Sequence, residues 1–337
     1  MSPRCCRHRT SAGRNRFSSQ RIRRSSWSGQ RHCALCRTPR TPSEDPVMVS
    51  PMAPVLTSPL VSTQWLADHI GADELVVLDA SVMTDGVGTA MQWQGARDAY
   101  EQHGHVPGAR YADLVDDFSA PDTALPFTRP SAERFESAAR AVGVTNTSTV
   151  VVYDDSVGEW AARLWWIFRA FGFDHVAVLD GGFSKWRDEG RPVRVGPLRH
   201  GGTAPSAEPF LAGEERPFWA DHDRVLRAVR GEEPAAVVLA APPSVLGRDH
   251  PGVVPGSTPI TTDDVIDPET NTLRRRAALA EVFAPVLDAD EIVTYCGVGS
   301  AACVDALALT VLGHDRVKVY DGSLAEWWRL EPDMVAS

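Results

Sequence analysis

Short apolar runs punctuated by glycine turns frame this chain. Leu75 to Asp79, Thr149 to Tyr153, Ala236 to Leu239 and Glu291 to Tyr295 each read as a strand. The second and fourth of these are followed by a turn and then a helix that stops at a glycine, Gly172 in one case and Gly313 in the other, the usual left-handed cap. A further strand ending in Asp-Gly and a short Trp-bearing helix complete each block. Strand, helix and strand in that order predict a parallel βαβ unit with a right-handed crossover. The blocks repeat: Gly158 and Gly299, Gly172 and Gly313, Asp180 and Asp321, Gly181 and Gly322, and Trp186 and Trp327 all lie 141 residues apart. Each block also has a Pro-Gly turn upstream, Gly104-His-Val-Pro-Gly-Ala109 and Gly252-Val-Val-Pro-Gly-Ser257. The chain therefore reads as an internal duplication, two similar α/β domains in tandem, each a parallel sheet flanked by helices.

Composition fits that reading. A length of 337 residues suggests about two domains, and 43% hydrophobic with 23% charged residues is ordinary for a globular chain. Nothing approaches the roughly 20 apolar residues of a membrane span. Within residues 1–47, eleven Arg face only Glu44 and Asp45, so the net charge of −10 leaves −19 on the remainder. An acidic body argues against nucleic acid as a partner. The leading segment is Arg- and Ser-rich without apolar periodicity, which predicts a disordered tail. It reads as a targeting or interaction tail, as a zinc site around Cys33-Ala-Leu-Cys36, or as codons ahead of a true start at Met48 or Met52. A single CxxC lacks the second pair that structural zinc needs, and no metal is expected. Beyond the tail only Cys296 and Cys303 remain, too few for a disulfide framework, so a reducing cytoplasm is expected. The division expected is a basic tail over 1–59, a first domain over 60–195, a linker over 196–214 and a second domain over 215–337.

Candidate chemistry gathers at Cys296. In Thr294-Tyr-Cys296-Gly-Val-Gly-Ser-Ala301 a strand runs directly into a glycine-spaced turn and then a helix. Successive N–H groups of such a turn point into one concavity and the helix N-terminus adds to the field, so a negative sulfur is stabilised. The N–H groups of Gly297, Val298, Gly299, Ser300 and Ala301 are suited to hold that sulfur, with Ser300 adding a hydroxyl or merely capping the helix. Asp154 and Asp155 take the corresponding place in the first domain, which has no thiol there. Cys303, one turn into an Ala-rich helix, reads as a small buried hydrophobe. His105 and His314 read as surface residues, and the Trp residues as core, with Trp160 a candidate to face a cleft.

Several segments in order resemble the tandem-domain rhodanese family, the thiosulfate and 3-mercaptopyruvate sulfurtransferases: Gly95-Ala-Arg-Asp-Ala-Tyr-Glu-Gln-His-Gly-His-Val-Pro-Gly-Ala-Arg110, Ala161-Ala-Arg-Leu-Trp-Trp-Ile-Phe-Arg-Ala-Phe-Gly172, Leu179-Asp-Gly-Gly-Phe-Ser-Lys-Trp186, Tyr295-Cys-Gly-Val-Gly-Ser300 and Val319-Tyr-Asp-Gly-Ser-Leu-Ala-Glu-Trp327. The resemblance covers roughly residues 60–330. It implies two rhodanese folds, a non-catalytic first domain, and a catalytic Cys296 opening a six-residue loop to Ala301, with the active site between the domains. The implied reaction moves a sulfane sulfur from 3-mercaptopyruvate or thiosulfate to cyanide or a thiol through a persulfide on Cys296, without a metal or organic cofactor. A monomer that meets only small molecules is expected.

The chain departs from the family pattern in places. The loop has no basic side chain, which favours the mercaptopyruvate type. Where the second domain should read Asp-x-Arg it reads Ala240-Ala-Pro242, so Arg248 becomes the nearest candidate for an anionic donor. Rival readings stay open: a non-catalytic binding protein, or a dinucleotide site through Gly297, Gly299 and Ala302 with Asp321 beyond. A cysteine phosphatase would need Arg where Ala302 stands.

Overall fold

The computed structural model describes residues 53–86, 90–121, 123–198, 209–242, 246 and 250–336. Residues 1–52 of the expected tail, with Cys33 and Cys36, therefore lie outside the described residues, as do residues 199–208 of the expected linker and Arg248.

The first sheet contains β1 (Leu60–Val61), β2 (Leu75–Asp79), β5 (Arg110–Tyr111), β6 (Thr149–Tyr153) and β7 (Val176–Leu179) in the order β1-β7-β6-β2-β5, all parallel. The second contains β8 (Trp219–Ala220), β9 (Ala236–Leu239), β10 (Thr258–Pro259), β11 (Ile292–Tyr295) and β12 (Val317–Tyr320). Read from β8 its order is β8-β12-β11-β9-β10, the same as the first sheet strand for strand, and it too is parallel. Central strands such as β6 are buried along their whole length, because helices cover both faces. That is why they read as unbroken apolar runs.

Helices α1 (Thr63–His69), α2 (Arg97–His103), α3 (Ala132–Ala141), α4 (Glu159–Ala170) and α5 (Gly182–Asp188) flank the first sheet. Helices α6 (His222–Val229), α7 (Thr262–Val265), α8 (Arg276–Phe283), α9 (Ala301–Leu312) and α10 (Ser323–Leu330) flank the second. Both glycine stops are realised, with Gly172 at φ +77° and Gly313 at φ +89°. Arg276, the first residue of α8, donates to the carbonyls of Val311 and Leu312, closing the C-terminus of α9. Ahead of residue 60, Thr149 Oγ1 donates to the Pro54 carbonyl at 2.7 Å, and Leu56 packs against the buried cluster of Leu66, Tyr153 and Trp186.

Both sheets belong to one compact unit, Ser50–Ser337. Its largest core runs through both halves, joining Leu78, Phe135 and Trp165 to Val238, Leu307 and Trp327. Helices α4 and α9, each following the loop at the end of its central strand, pack against one another across the junction. This contact brings the two loops to one place.

Candidate active site

Strand β11 delivers Tyr295 and then Cys296 to the edge of the second sheet, and α9 begins at Ala301. The backbone between them is clamped from behind by the start of α10. Leu324 N–H donates to the Cys296 carbonyl and Ala325 N–H to the Gly297 carbonyl, each at 3.0 Å, while the Cys296 N–H donates to Ser323 Oγ at 3.2 Å. Gly299 turns the chain at φ +89°, and a side chain there would place its Cβ 2.9 Å from the Asp321 carbonyl oxygen. Only glycine fits that conformation and space. The turn aims the Gly299 N–H at Cys296 Sγ, 3.0 Å away. Ser300 makes no side-chain capping hydrogen bond. The N–H groups of Gly297, Val298, Ser300, Ala301 and Ala302 find no acceptor among the described residues.

Cys296 is 2% exposed, and what it touches is a cleft of about 540 Å³ between the halves. Gly297, Val298, Ser300 and Ala301 form the cleft floor with it. From the second half, Ala241, Pro242, Asp263 and Trp328 add one wall. The other wall comes from the first half: Ser156, Val157, Glu159 and Trp160 of the β6–α4 turn, as anticipated for Trp160. Above them stands an antiparallel hairpin, β3 (Val82–Asp85) with β4 (Gln92–Gly95), which contributes Thr84 and Trp93. The described walls are largely apolar, and their ionisable side chains are Glu159, Asp263 and Cys296 itself.

The first half repeats the loop with a different occupant. Asp154 takes the place of Cys296, its carbonyl held by the Phe183 N–H at 2.9 Å as that of Cys296 is held by Leu324. Its fully buried carboxylate accepts four backbone N–H groups, from Ser156 and Gly158 on Oδ1 and from Trp160 and Ala161 on Oδ2, at 2.8 to 3.1 Å. Burial pushes its pKa up while those four donors pull against the rise. A loop of this shape at the head of a helix is thus seen directing four N–H groups at a carboxyl.

Two buried side chains, one from each half, meet at the Gly299 carbonyl of the Cys296 loop. Arg163 of α4, its side chain 1% exposed, pairs with Asp321 at 2.5 Å, donates to the Phe127 carbonyl and lies over the Trp219 ring at 4.7 Å. Its other nitrogen reaches the Gly299 carbonyl at 3.4 Å. Cys303 Sγ donates to that same carbonyl at 3.2 Å. Burial pushes the Cys303 thiol up to about 12, against the pull of Arg163, so this sulfur stays protonated as the structural reading expects.

Asp321 bears on the dinucleotide alternative. Its Oδ1 is committed to Arg163 and its Oδ2 accepts the Arg129 N–H at 3.0 Å, so neither oxygen faces a ribose. His105 corrects the sequence reading: it is 1% exposed, stacks on Tyr100 at 3.9 Å between ring centres and bonds the Tyr100 carbonyl, because its Pro-Gly turn folds inward over α2. His314 is partly buried near the Ala289 carbonyl. Neither His lines the cleft. Sequence reasoning missed the hairpin, Arg163 and Glu159. The Arg163–Asp321 pair spans 158 residues and carries no local signal. Glu159 differs, since a polar residue between the loop and an apolar helix was a readable anomaly.

The Rhodanese-like domain family matches residues 62–189 and 248–330. The chain is 33% identical over 300 residues to the thiosulfate sulfurtransferase of Cricetulus griseus, covering 82% of this chain and 94% of the relative. It is 32% identical over 308 residues to the 3-mercaptopyruvate sulfurtransferase of Mus musculus, covering 85% and 97%. Among solved structures it is similar to SseA of Escherichia coli, a 3-mercaptopyruvate sulfotransferase with the rhodanese fold, at a TM-score of 0.66 and 27% identity over 79% of this chain and 99% of that one. Loop, cleft and family match agree, and the chain belongs to the rhodanese family.

Proposed function

We propose that the protein is a sulfurtransferase that carries sulfane sulfur on Cys296. One observation carries this reading: a single thiol, Cys296, lies on the floor of the cleft between the halves, accepting a loop N–H at 3.0 Å. The thiolate attacks the outer sulfur of a donor, the donor remainder leaves with the bonding electrons, and a persulfide remains for a thiol or cyanide to collect. The N–H groups of Gly297, Val298, Gly299, Ser300 and Ala301 hold the anionic sulfur, as the carboxylate of Asp154 is held in the first half. The first half acts as scaffold and cleft wall. The relatives named for thiosulfate and 3-mercaptopyruvate support sulfur transfer with either donor.

The donor we favour is 3-mercaptopyruvate, since the loop lacks the cation that would meet the dianion of thiosulfate and Arg248 can meet a carboxylate. With no helix long and apolar enough to cross a membrane among the described residues, and two free cysteines, we assign the protein to a reducing compartment such as the cytoplasm. A non-catalytic binding role is the second reading, favoured by the Ala241 and Pro242 surface where the family places Asp-x-Arg.

Mass spectrometry after incubation with each donor tests the proposal. The mass of one sulfur atom is expected on the Cys296 peptide and nowhere in Cys296→Ser. Sulfur on Cys303 would overturn the assignment of the carrier, and none with Cys296 still readily alkylated would favour the binding role.

A further inference from the structure

Glu159 is the one acidic side chain that the first half places in the cleft among the described residues. It is the first residue of α4, partly buried, and its carboxylate has a single described partner, Ser156 Oγ at 3.4 Å. A carboxylate at a helix start is ordinarily stabilised by the free N–H groups there. Here the N–H groups of Trp160 and Ala161 are already given to Asp154. Glu159 therefore meets a buried carboxylate where donors would normally be. Around it, Arg163 one turn on is taken by Asp321, Asp155 pairs with Arg187 at 3.5 Å, and Asp263 is the charge on the opposite wall. Burial first and the charge of Asp154 second push Glu159 up to about 7, with Ser156 opposing. A carboxyl so tuned exchanges its proton near neutrality.

We propose that Glu159 is the acid–base residue of sulfur transfer from a mercapto-keto acid to a thiol, an inference that rests on Cys296 being the sulfur carrier. The proton balance calls for such a group. When the Cys296 thiolate takes the SH sulfur of 3-mercaptopyruvate, the carbon–sulfur bond breaks, its electron pair stays on carbon, and Cys296 holds –S–SH. The resulting enolate takes the proton of the Glu159 carboxyl and leaves as pyruvate. An incoming thiol then gives its proton to the Glu159 carboxylate, attacks the terminal sulfur and departs as a persulfide, returning Cys296 to thiolate and Glu159 to its acid form. Loading of Cys296 from thiosulfate releases sulfite, which leaves with the bonding electrons as a stable anion and needs no proton from the protein.

That contrast supplies the test. On the full chain, kcat/KM for 3-mercaptopyruvate with dithiothreitol and for thiosulfate with cyanide are measured between about pH 5 and 9, in the wild type and in Glu159→Gln. Taking the ratio of the two donors cancels whatever both owe to the thiolate. In the wild type the ratio should fall as pH rises through about 7. In Glu159→Gln it should drop by about 100-fold and lose its pH step, the scale of a lost general acid. A ratio and pH step unaltered in the variant would overturn the proposal. Should the variant fail to fold, single-turnover loading of wild-type Cys296 from 3-mercaptopyruvate still decides: a rate without a step near pH 7 relative to thiosulfate overturns it. A wild type that takes sulfur from neither donor removes the sulfurtransferase reading itself, an outcome distinct from both.

Discussion

Replacing Arg163 by Met tests how firmly the two halves are joined at the loop. Met keeps most of the stem and its packing but removes the guanidinium. Asp321, 15% exposed at its side chain, loses its cation at 2.5 Å and keeps only the Arg129 N–H, while the Phe127 carbonyl and the Gly299 carbonyl lose a donor. Removing one member of a buried ion pair costs about 3–5 kcal/mol, and the cation over an aromatic ring adds about 1 kcal/mol. Residual solvent access and the surviving N–H place the expected loss near the lower bound, about 3 kcal/mol. Urea denaturation of the full chain should show it as a lowered midpoint. At about 2–4 °C per kcal/mol the melting temperature should fall by roughly 6–12 °C. In Arg163→Met with Asp321→Leu the orphaned carboxylate is gone, so the double variant should recover at least about 1.5 kcal/mol relative to the sum of the single changes. A loss under about 1 kcal/mol, or strictly additive costs, would refute the claim that this pair is buried and coupled.

Two further outcomes follow from local geometry. Gly299→Ala should cost about 2–4 kcal/mol and slow alkylation of Cys296 by iodoacetamide, since the new Cβ faces the Asp321 carbonyl at 2.9 Å in a left-handed conformation; Gly297→Ala, with open space around its Cβ, should stay within about 1 kcal/mol of wild type. Asp305 in α9 is fully buried with neither oxygen hydrogen-bonded to a described residue, and burial, then Asp264, push its pKa well up. A carboxyl raised in the folded state lends stability at low pH that is lost as pH rises through its folded pKa. Asp305→Asn should therefore gain on wild type in thermal melts as pH rises from about 5 to 8, and a constant difference would contradict the burial argument.

Much of the fold could be read directly from residue pattern. Runs such as Thr149 to Tyr153 are apolar throughout because helices cover both faces of a parallel sheet, and Gly172 and Gly313 mark helix ends because only glycine turns left-handed there at little cost. Cys296 stood out because strand, glycine turn and helix form a local unit. The hairpin of β3 and β4 did not, since Val82-Met-Thr-Asp85 and Gln92-Trp-Gln-Gly95 are mixed in polarity and exposed along much of their length. His105 was misjudged because a turn motif says how the chain bends and not which way it folds back. The cleft itself was readable only in part, as the meeting of Glu159 with Cys296 depends on how α4 packs on α9.

Asp154 gives the fold a built-in comparison. One cradle of backbone donors holds a carboxyl that can never leave, because it is part of the side chain; the other turns a donor toward a sulfur that, on the proposed chemistry, gains and loses a neighbour. In the first, four of the donors already have their acceptor when folding ends. In the second, on the proposed persulfide chemistry, several N–H groups acquire an acceptor only as sulfur arrives, and charging the enzyme then becomes the last step of its folding. Protein loaded with sulfur should on this account be the more robust species, and each turnover a passage between a finished fold and one a few hydrogen bonds short of it.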